Sequence, residues 1–246
     1  MESNLNNKPL GEWSDKERIG AVKKIFSTIT PKYDLLNHVL SGCQDIRWRR
    51  FTARRLPVNS KHIIDVATGT GDLALTVARK YPHLKIAGVD FVKEMMTIAS
   101  EKTARAGLSG QIEYTVGDAM HLPFEDNTFD AAMVAFGFRN IPDRSGALEE
   151  MSRVVKSGGK ILILEMTLPR RAMTGKFFAW YLKNVIPRIG KIISGNQAAY
   201  DYLSNSIEDF LKPDELTSYF ETAGLRDVKA FPLTFGITYL HEGIVP

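Results

Sequence analysis

The chain has 246 residues, 44% hydrophobic and 24% charged, the balance of a soluble globular protein with one large domain or two small ones. Its formal net charge is only +4, too mild and too dispersed for a nucleic-acid partner, and its single cysteine, Cys43, excludes an internal disulfide. With no run of about 18 apolar residues and no signal-peptide core in the opening MESNLNNKPLGEW, the expected location is cytoplasmic.

Residues Met1 to Trp13 read as a loose polar arm. Ser14 is placed to cap a helix running to about Ile29, with Asp15 and Glu17 in its first turn, where acids suit the helix dipole. Pro31 punctuates the chain. Tyr33–Leu40 and Asp45–Leu56 read as helices, the second carrying Arg47, Arg49, Arg50, Arg54 and Arg55. Residues 1–60 are therefore expected to form an N-terminal helical arm or lid.

From Lys61 the pattern changes. Apolar segments at His62–Ala67, Lys85–Val89, Gln111–Val116, Phe129–Phe136 and Gly159–Glu165 read as strands. Helical stretches at Asp72–Lys80, Val92–Ala106 and Arg144–Val155 separate them. This alternation predicts an α/β fold with a mostly parallel sheet and helices on both faces, spanning 61–246. After Glu165 the alternation breaks. Ala172–Ile193 is apolar and basic, with interruptions expected at Pro187 and Gly190, and helices follow at Asn196–Phe210 and Pro213–Ala223. Two closely joined strands, Arg226–Pro232 and Leu233–His241, are expected to be antiparallel. The insertion at about 167–210 is placed to cover the functional edge of the sheet.

The segment DVATGTGDLAL, Asp65 to Leu75, carries G-x-G-x-x-A through Gly69, Gly71 and Ala74. Such a turn lets a backbone approach a ligand closely and serves either a dinucleotide or S-adenosyl-L-methionine. Asp90, closing the second strand, suits a ribose diol in both. Three features favour S-adenosyl-L-methionine. Asp72 opens the helix where a pyrophosphate would sit, and Asp65 adds a second acid at the turn; both suit a sulfonium and an ammonium. Gly117-Asp118-Ala119 follows the third strand, where an acid can accept an adenine amine. About sixty residues precede the fingerprint. A nicotinamide-dependent oxidoreductase remains the alternative. No histidine and cysteine cluster has ligand spacing, so no metal is expected.

DVATGTGDLAL, GVDFVKEMM, YTVGDAMHLPFEDNTFDA, AFGFRNIPD and EMSRVVKSGGKILILEM together resemble a class I S-adenosylmethionine-dependent methyltransferase. IFSTITPKYDLLNHVLSGCQDIRWRR and VIPRIGKIISGNQAAYDYLSNSI narrow the resemblance to the menaquinone and ubiquinone biosynthesis C-methyltransferases, from about Ile19 to Glu242. The resemblance implies a Rossmann-like, seven-stranded, mostly parallel sheet with an antiparallel last strand. It implies cofactor contacts at Thr70, Asp90, Asp118 and Ala119, beside Asp65, Gly69 and Gly71. It also implies a polyprenyl naphthoquinol substrate, with a benzoquinol precursor of ubiquinone as the alternative. Members acting on both quinones often carry Ser where this chain has Ala135, which tilts the reading toward the naphthoquinol. Of the catalytic candidates, Arg139 is placed to stabilise a phenolate or orient a water, and Asn140 to hold either by hydrogen bonds. The structural alternative pairs Arg139 with Asp143 or Asp34. Tyr33, Asp34 and His38 are candidates for a lid over the cofactor. The apolar and basic stretch from Met173 to Ile193, with Trp48 and its neighbouring arginines, suggests peripheral contact with the inner face of the membrane, or a homodimer interface.

Overall fold

The structure, a computed structural model, describes residues 14–170, 172–194 and 197–246, so the expected arm Met1 to Trp13 lies outside the described residues. Three helices come first: α1 (Asp15–Ile29), α2 (Tyr33–Ser41) and α3 (Gln44–Ala53). Ser14 caps α1 as its sequence foretells. Its hydroxyl accepts from the Glu17 amide, and the Glu17 carboxylate accepts from the Ser14 amide at 2.7 Å.

The alternating part follows as β1 (His62–Val66), α4 (Asp72–Lys80), β2 (Lys85–Asp90), α5 (Lys93–Arg105), β3 (Ile112–Val116), β4 (Phe129–Ala135), α6 (Arg144–Val154) and β5 (Val155–Met166). Then come α7 (Ala172–Asn184), α8 (Ile186–Ser194), α9 (Gln197–Glu208), α10 (Pro213–Thr222), β6 (Arg226–Leu233) and β7 (Thr238–Ile244). The seven strands form one sheet in the order β3-β2-β1-β4-β5-β7-β6. β1 to β5 are parallel, and β7 is antiparallel to both of its neighbours.

Successive strand side chains point to opposite faces. Ile64 and Val66 of β1, Ala132 and Val134 of β4, and Ile161 and Ile163 of β5 join one core with Leu148 and Met151 of α6 and Phe220 of α10. The intervening Ile63, Ala131, Met133, Leu162 and Leu164 join the other with Trp48 of α3 and Leu73 and Val77 of α4. Both faces of the sheet are thus covered, which is why its central strands are apolar throughout.

Two local expectations change. Pro187 sits at the second position of α8, where its missing N–H removes no helical bond, so the break falls just before it. Gly190 breaks nothing. It lies inside α8, where a Cβ would strike the Tyr200 ring of α9, so its role is close helix packing.

From β1 the chain winds outward through β2 and β3, and from β4 it winds the other way through β5. The order reverses between β1 and β4. At such a point the connections diverge and leave a crevice beyond the carboxyl ends of the strands.

Candidate active site

A cavity of about 160 Å³ occupies that crevice. Asp65 and residues 67–70 line it after β1, Asp90 at the end of β2, residues 117–120 after β3, and residues 135–137 after β4. Ile19, Val22 and Phe26 of α1, Tyr33 of α2, Arg49 of α3 and Asp72 of α4 also line it. The structure brings together all seven residues expected around the cofactor except Gly71, which shapes the turn from beneath. Gly69 and Gly71 have φ of +56° and +79°, and a Cβ on Gly71 would collide with the Tyr114 hydroxyl. Both positions need glycine.

The acids of this cavity are held in different ways. Asp65 is 1% exposed; burial pushes its carboxyl up to about 7, against the hydrogen bond it accepts from the Thr68 hydroxyl at 2.6 Å. Asp90 accepts from the Gly69 amide at 2.8 Å and from the Val92 amide at 2.9 Å, one on each oxygen. Burial raises its pKa and the amides oppose the rise. A carboxylate has about four acceptor sites, so each Asp90 oxygen keeps capacity for a diol. Asp118 is half exposed and accepts from the Met120 amide at 2.9 Å, with Ala119 beside it in the lining. Thr70 is buried, and its hydroxyl donates to Asp34 of α2.

Asp72 departs from its sequence reading. It is not a bare acid at the helix start: Lys102 of α5 bridges it and Asp34 at 2.5 Å each, and Arg49 lies 3.8 Å away. Repulsion of a phosphate by Asp72 is therefore weaker than the sequence suggests. The acid excess comes from Asp90 and Asp118. The topology argues against a dinucleotide on separate grounds. The doubly wound dinucleotide fold continues β5 with a parallel sixth strand. Here the reversed β7 occupies that place.

The carboxyl ends of β1 and β4 are strained. Ala67 (φ 51°) and Phe136 (φ 60°) are left-handed without being glycine, at a cost of roughly 1–2 kcal/mol each. A Cβ on Gly137 would lie 2.7 Å from that of Ala67, so the two strand ends close on one another. Such strain concentrates at ligand sites.

Phe136, Phe26, Tyr33 and Arg49 also line a second cavity, of about 70 Å³. Its other walls are mostly apolar: Leu36 and Leu40 of α2, Trp48 of α3, Tyr181 of α7, Ile186 of α8 and Tyr200, Leu203 and Ile207 of α9. The expected insertion at 167–210 thus supplies one side of it, and the N-terminal helices the other.

Arg139 and Asn140 lie in a 3-10 turn (Phe138–Asn140) between the two cavities. Arg139 lines the apolar cavity and Asn140 the acid-lined one. Neither sequence-proposed partner pairs with Arg139. Asp143 caps α6 through the Gly146 amide, and Asp34 is taken by Thr70 and Lys102. The partner is Glu165 at the end of β5, 2.6 Å from Arg139 Nη1; the two residues are 4% and 1% exposed. Arg139 also donates to the Phe136 carbonyl at 2.7 Å and the Ser206 hydroxyl at 3.3 Å. Burial works to lower the guanidinium's pKa, but the charge and hydrogen bond of Glu165, together with the phenols of Tyr33 and Tyr202, hold it above its usual value. Asn140 Oδ1 accepts from the Tyr202 hydroxyl at 3.0 Å.

The trio on α2 divides. Tyr33 faces both cavities, its phenol raised because desolvation outweighs the attraction of Arg139 and Arg49. Asp34 reaches the glycine turn. His38 instead lies 2.8 Å from Asp45, and with Asp72 these form one histidine–carboxylate cluster whose two acids are already paired with Arg49 and Lys102. Trp48 is no membrane residue: it is 4% exposed and donates to the Thr234 hydroxyl at 2.9 Å.

Sequence reasoning missed Glu165 and Lys102. Glu165 carried a usable signal: it ends the apolar run ILILE as Asp65 ends HIID and Asp90 ends IAGVD. Lys102 carried none. On α5, thirty residues from Asp72, only the folded chain brings it to the turn.

Known proteins bear on this geometry. The chain resembles the demethylmenaquinone methyltransferase of Deinococcus radiodurans at 41% identity, covering 97% of each chain. The demethylmenaquinone methyltransferase of Thermotoga maritima is 43% identical, over 89% of this chain and 94% of that one. The ubiquinone/menaquinone biosynthesis C-methyltransferase UbiE of a Geobacter species is 40% identical, over 90% and 95%. Among solved structures, a possible histamine N-methyltransferase of Thermotoga maritima matches the fold with TM-score 0.64 at 17% identity, over 91% of this chain and 99% of that one. The family described as the ubiE/COQ5 methyltransferase family matches residues 13–245. On a match of that extent, this chain belongs to the ubiE/COQ5 methyltransferase family.

Proposed function

We propose that the protein methylates the unsubstituted ring carbon of demethylmenaquinol, with S-adenosyl-L-methionine as donor, yielding menaquinol and S-adenosylhomocysteine. One observation carries the reading: an acid-lined cavity at the strand ends adjoins an apolar cavity across Phe26, Tyr33, Arg49 and Phe136. The names of the relatives support it. S-adenosyl-L-methionine supplies a methyl group on a sulfonium, and an ammonium that suits an acidic lining. Asp90 is the ribose acceptor, Asp118 with Ala119 the adenine side, and Asp65, Gly69, Thr70 and Gly71 the turn around the amino-acid end.

The acceptor must be the hydroquinol, because a quinone carbon is too electron-poor to attack. Loss of a phenolic proton moves electron density onto the neighbouring carbon; the new carbon–carbon bond forms there, and the ring proton then leaves. Donor cation and acceptor anion cancel as the methyl moves, so a dry site favours the step. Arg139 remains protonated and is no base. Its guanidinium stabilises the phenolate while water takes the proton. Asn140, anchored by Tyr202, fixes the ring's position. Of the described residues, 14–60 form the lid and those from 61 to 246 the catalytic domain.

Among the described residues no helix is long and apolar enough to cross a membrane. α7 nonetheless exposes Met173, Phe177 and Trp180 at 86%, 67% and 53%, one stripe at helical spacing, while Phe178, Leu182 and Ile186 are buried. That stripe is the surface for peripheral contact with the inner face of the membrane. A homodimer is its competing use, distinguished by the oligomeric state of vesicle-free protein. The side chains of Ile192 and Ile193 lie outside the described residues. A second reading, the benzoquinol acceptor, is favoured by the UbiE relatives. Ala135 in the cofactor cavity, without a hydroxyl, favours the naphthoquinol. Protein, labelled S-adenosyl-L-methionine and chemically reduced demethylmenaquinone should give labelled menaquinone. The oxidised acceptor should give none. Labelling of the benzoquinol alone, or of neither acceptor, overturns the reading.

A further inference from the structure

The arginines of α3 serve two different ends. Arg49 is buried against Asp45. Arg50 and Arg54, one turn apart, are exposed, as are Arg79 and Lys80 at the end of α4. All four line one concavity of about 480 Å³ between these helices. Among the described residues, none of the four forms an ion pair with a carboxylate. The one acid in the lining, Asp72, is taken by Lys102 and Arg49. The ends of α3 and α4 favour cations, but each supplies only about half a negative charge, against two unit cations apiece. Among the described residues the four cations therefore outnumber the negative charge available to them.

We propose that this concavity binds the phosphate headgroups of an anionic membrane surface. Its position supports that occupant. At 100° per residue, Leu35 and Val39 share the outer face of α2, and both are exposed, at 56% and 45%. His38, on one flank of that face, lines the basic concavity. Leu36 and Leu40, on the other flank, line the apolar cavity, and the Leu40 carbonyl accepts from Tyr181 of α7 at 2.8 Å. Basic concavity, apolar outer face and substrate cavity are therefore neighbours around one helix. Exposed aliphatic side chains beside cations suit lipid, where acyl chains lie under phosphates, better than a nucleic acid. The inference rests on the quinol reading above for its reason: a substrate with a polyprenyl tail is drawn from a bilayer. The contact is electrostatic, additional to the α7 stripe, and weakens with salt.

The test is cosedimentation of the full chain with phosphatidylglycerol vesicles and with phosphatidylcholine vesicles at low and high salt. The wild type should bind the anionic vesicles preferentially, and salt should release it. The triple variant Arg50→Gln, Arg54→Gln, Arg79→Gln should lose roughly 100-fold in partitioning onto phosphatidylglycerol. Its S-adenosylhomocysteine affinity, measured in parallel, should stay at the wild-type value and so report a folded protein. Wild-type protein that ignores phosphatidylglycerol, that binds RNA but not vesicles, or that partitions no better than the triple variant overturns the proposal. Turnover of a short-tailed, water-soluble demethylmenaquinol needs no membrane. Its absence would fault the substrate reading alone, leaving vesicle binding to decide the surface.

Discussion

Two cavities meet at Phe136, and the chain builds them by opposite means. The acid-lined one is made from strand ends and short turns, with its carboxylates pinned by backbone amides: Gly69 and Val92 on Asp90, Met120 on Asp118. The apolar one is made from helices far apart in sequence, α2 and α3 against α7, α8 and α9, and its buried arginines are each paired, Arg49 with Asp45 and Arg139 with Glu165. Backbone-held acids stay placed whatever the helices do. Helix-built walls can change with the acceptor while the donor site is kept. Phe26, Tyr33, Arg49 and Phe136 line both, and the Phe138–Asn140 turn gives Arg139 to one and Asn140 to the other, so this seam is where donor and acceptor are aligned.

The comparison breaks most visibly at Arg139. Arg139→Ala leaves Glu165 buried without its partner, an expected loss of about 3–5 kcal/mol in chemical denaturation. The pair Arg139→Met, Glu165→Met removes both charges and should recover most of that stability. Its turnover should stay at least about 100-fold down, since the phenolate has lost its cation. A double variant that regains turnover would make Arg139 structural.

On the donor side, Asp90→Ala leaves two amides without an acceptor, at about 1–3 kcal/mol each. S-adenosylhomocysteine affinity by calorimetry should fall roughly 100-fold, with the KM for the quinol little changed. An equal loss for both ligands would mean that the two cavities are not independently built.

Asp65 sharpens the contrast through pH. Its folded pKa, about 7, lies above the ordinary 3.8, so the native state holds a proton that the unfolded chain gives up. The stability this confers is complete below about pH 4 and is lost as pH rises through about 7. Asp65→Asn, which cannot ionise, should therefore gain on the wild type between those limits, by a few kcal/mol in all, and level off above. A stability difference independent of pH would show that burial does not govern Asp65.

The smallest effect is expected on α7. Phe177→Gln with Trp180→Gln, both exposed, should change stability by less than about 0.5 kcal/mol. Turnover of vesicle-held quinol should drop several-fold while that of a short-tailed acceptor stays constant. Equal loss on both acceptors would place the stripe in the fold rather than at a membrane.

Much of this was legible beforehand, for particular reasons. Short continuous apolar runs name the central strands β1, β2 and β4, since a strand buried on both faces leaves polar residues mainly at its ends. Asp65, Asp90 and Asp118 stood out as acids at or beyond strand ends. Glu165 sits at the same kind of position and was passed over, because a single carboxylate does not announce a partner 26 residues away. Asp72 was misjudged for the same reason: its cation is on another helix.

The amino-acid sequence by itself determined the strands, the glycine turn and the acids around it, because each follows from local periodicity, backbone freedom or a side chain's place at a strand end. Only the tertiary structure decided which charges are paired: Arg139 on Glu165, Lys102 between Asp34 and Asp72, and Arg50 and Arg54 with no acid among the described residues. Pairing depends on distances of a few ångströms between residues remote in the chain, and one-dimensional spacing carries no record of them.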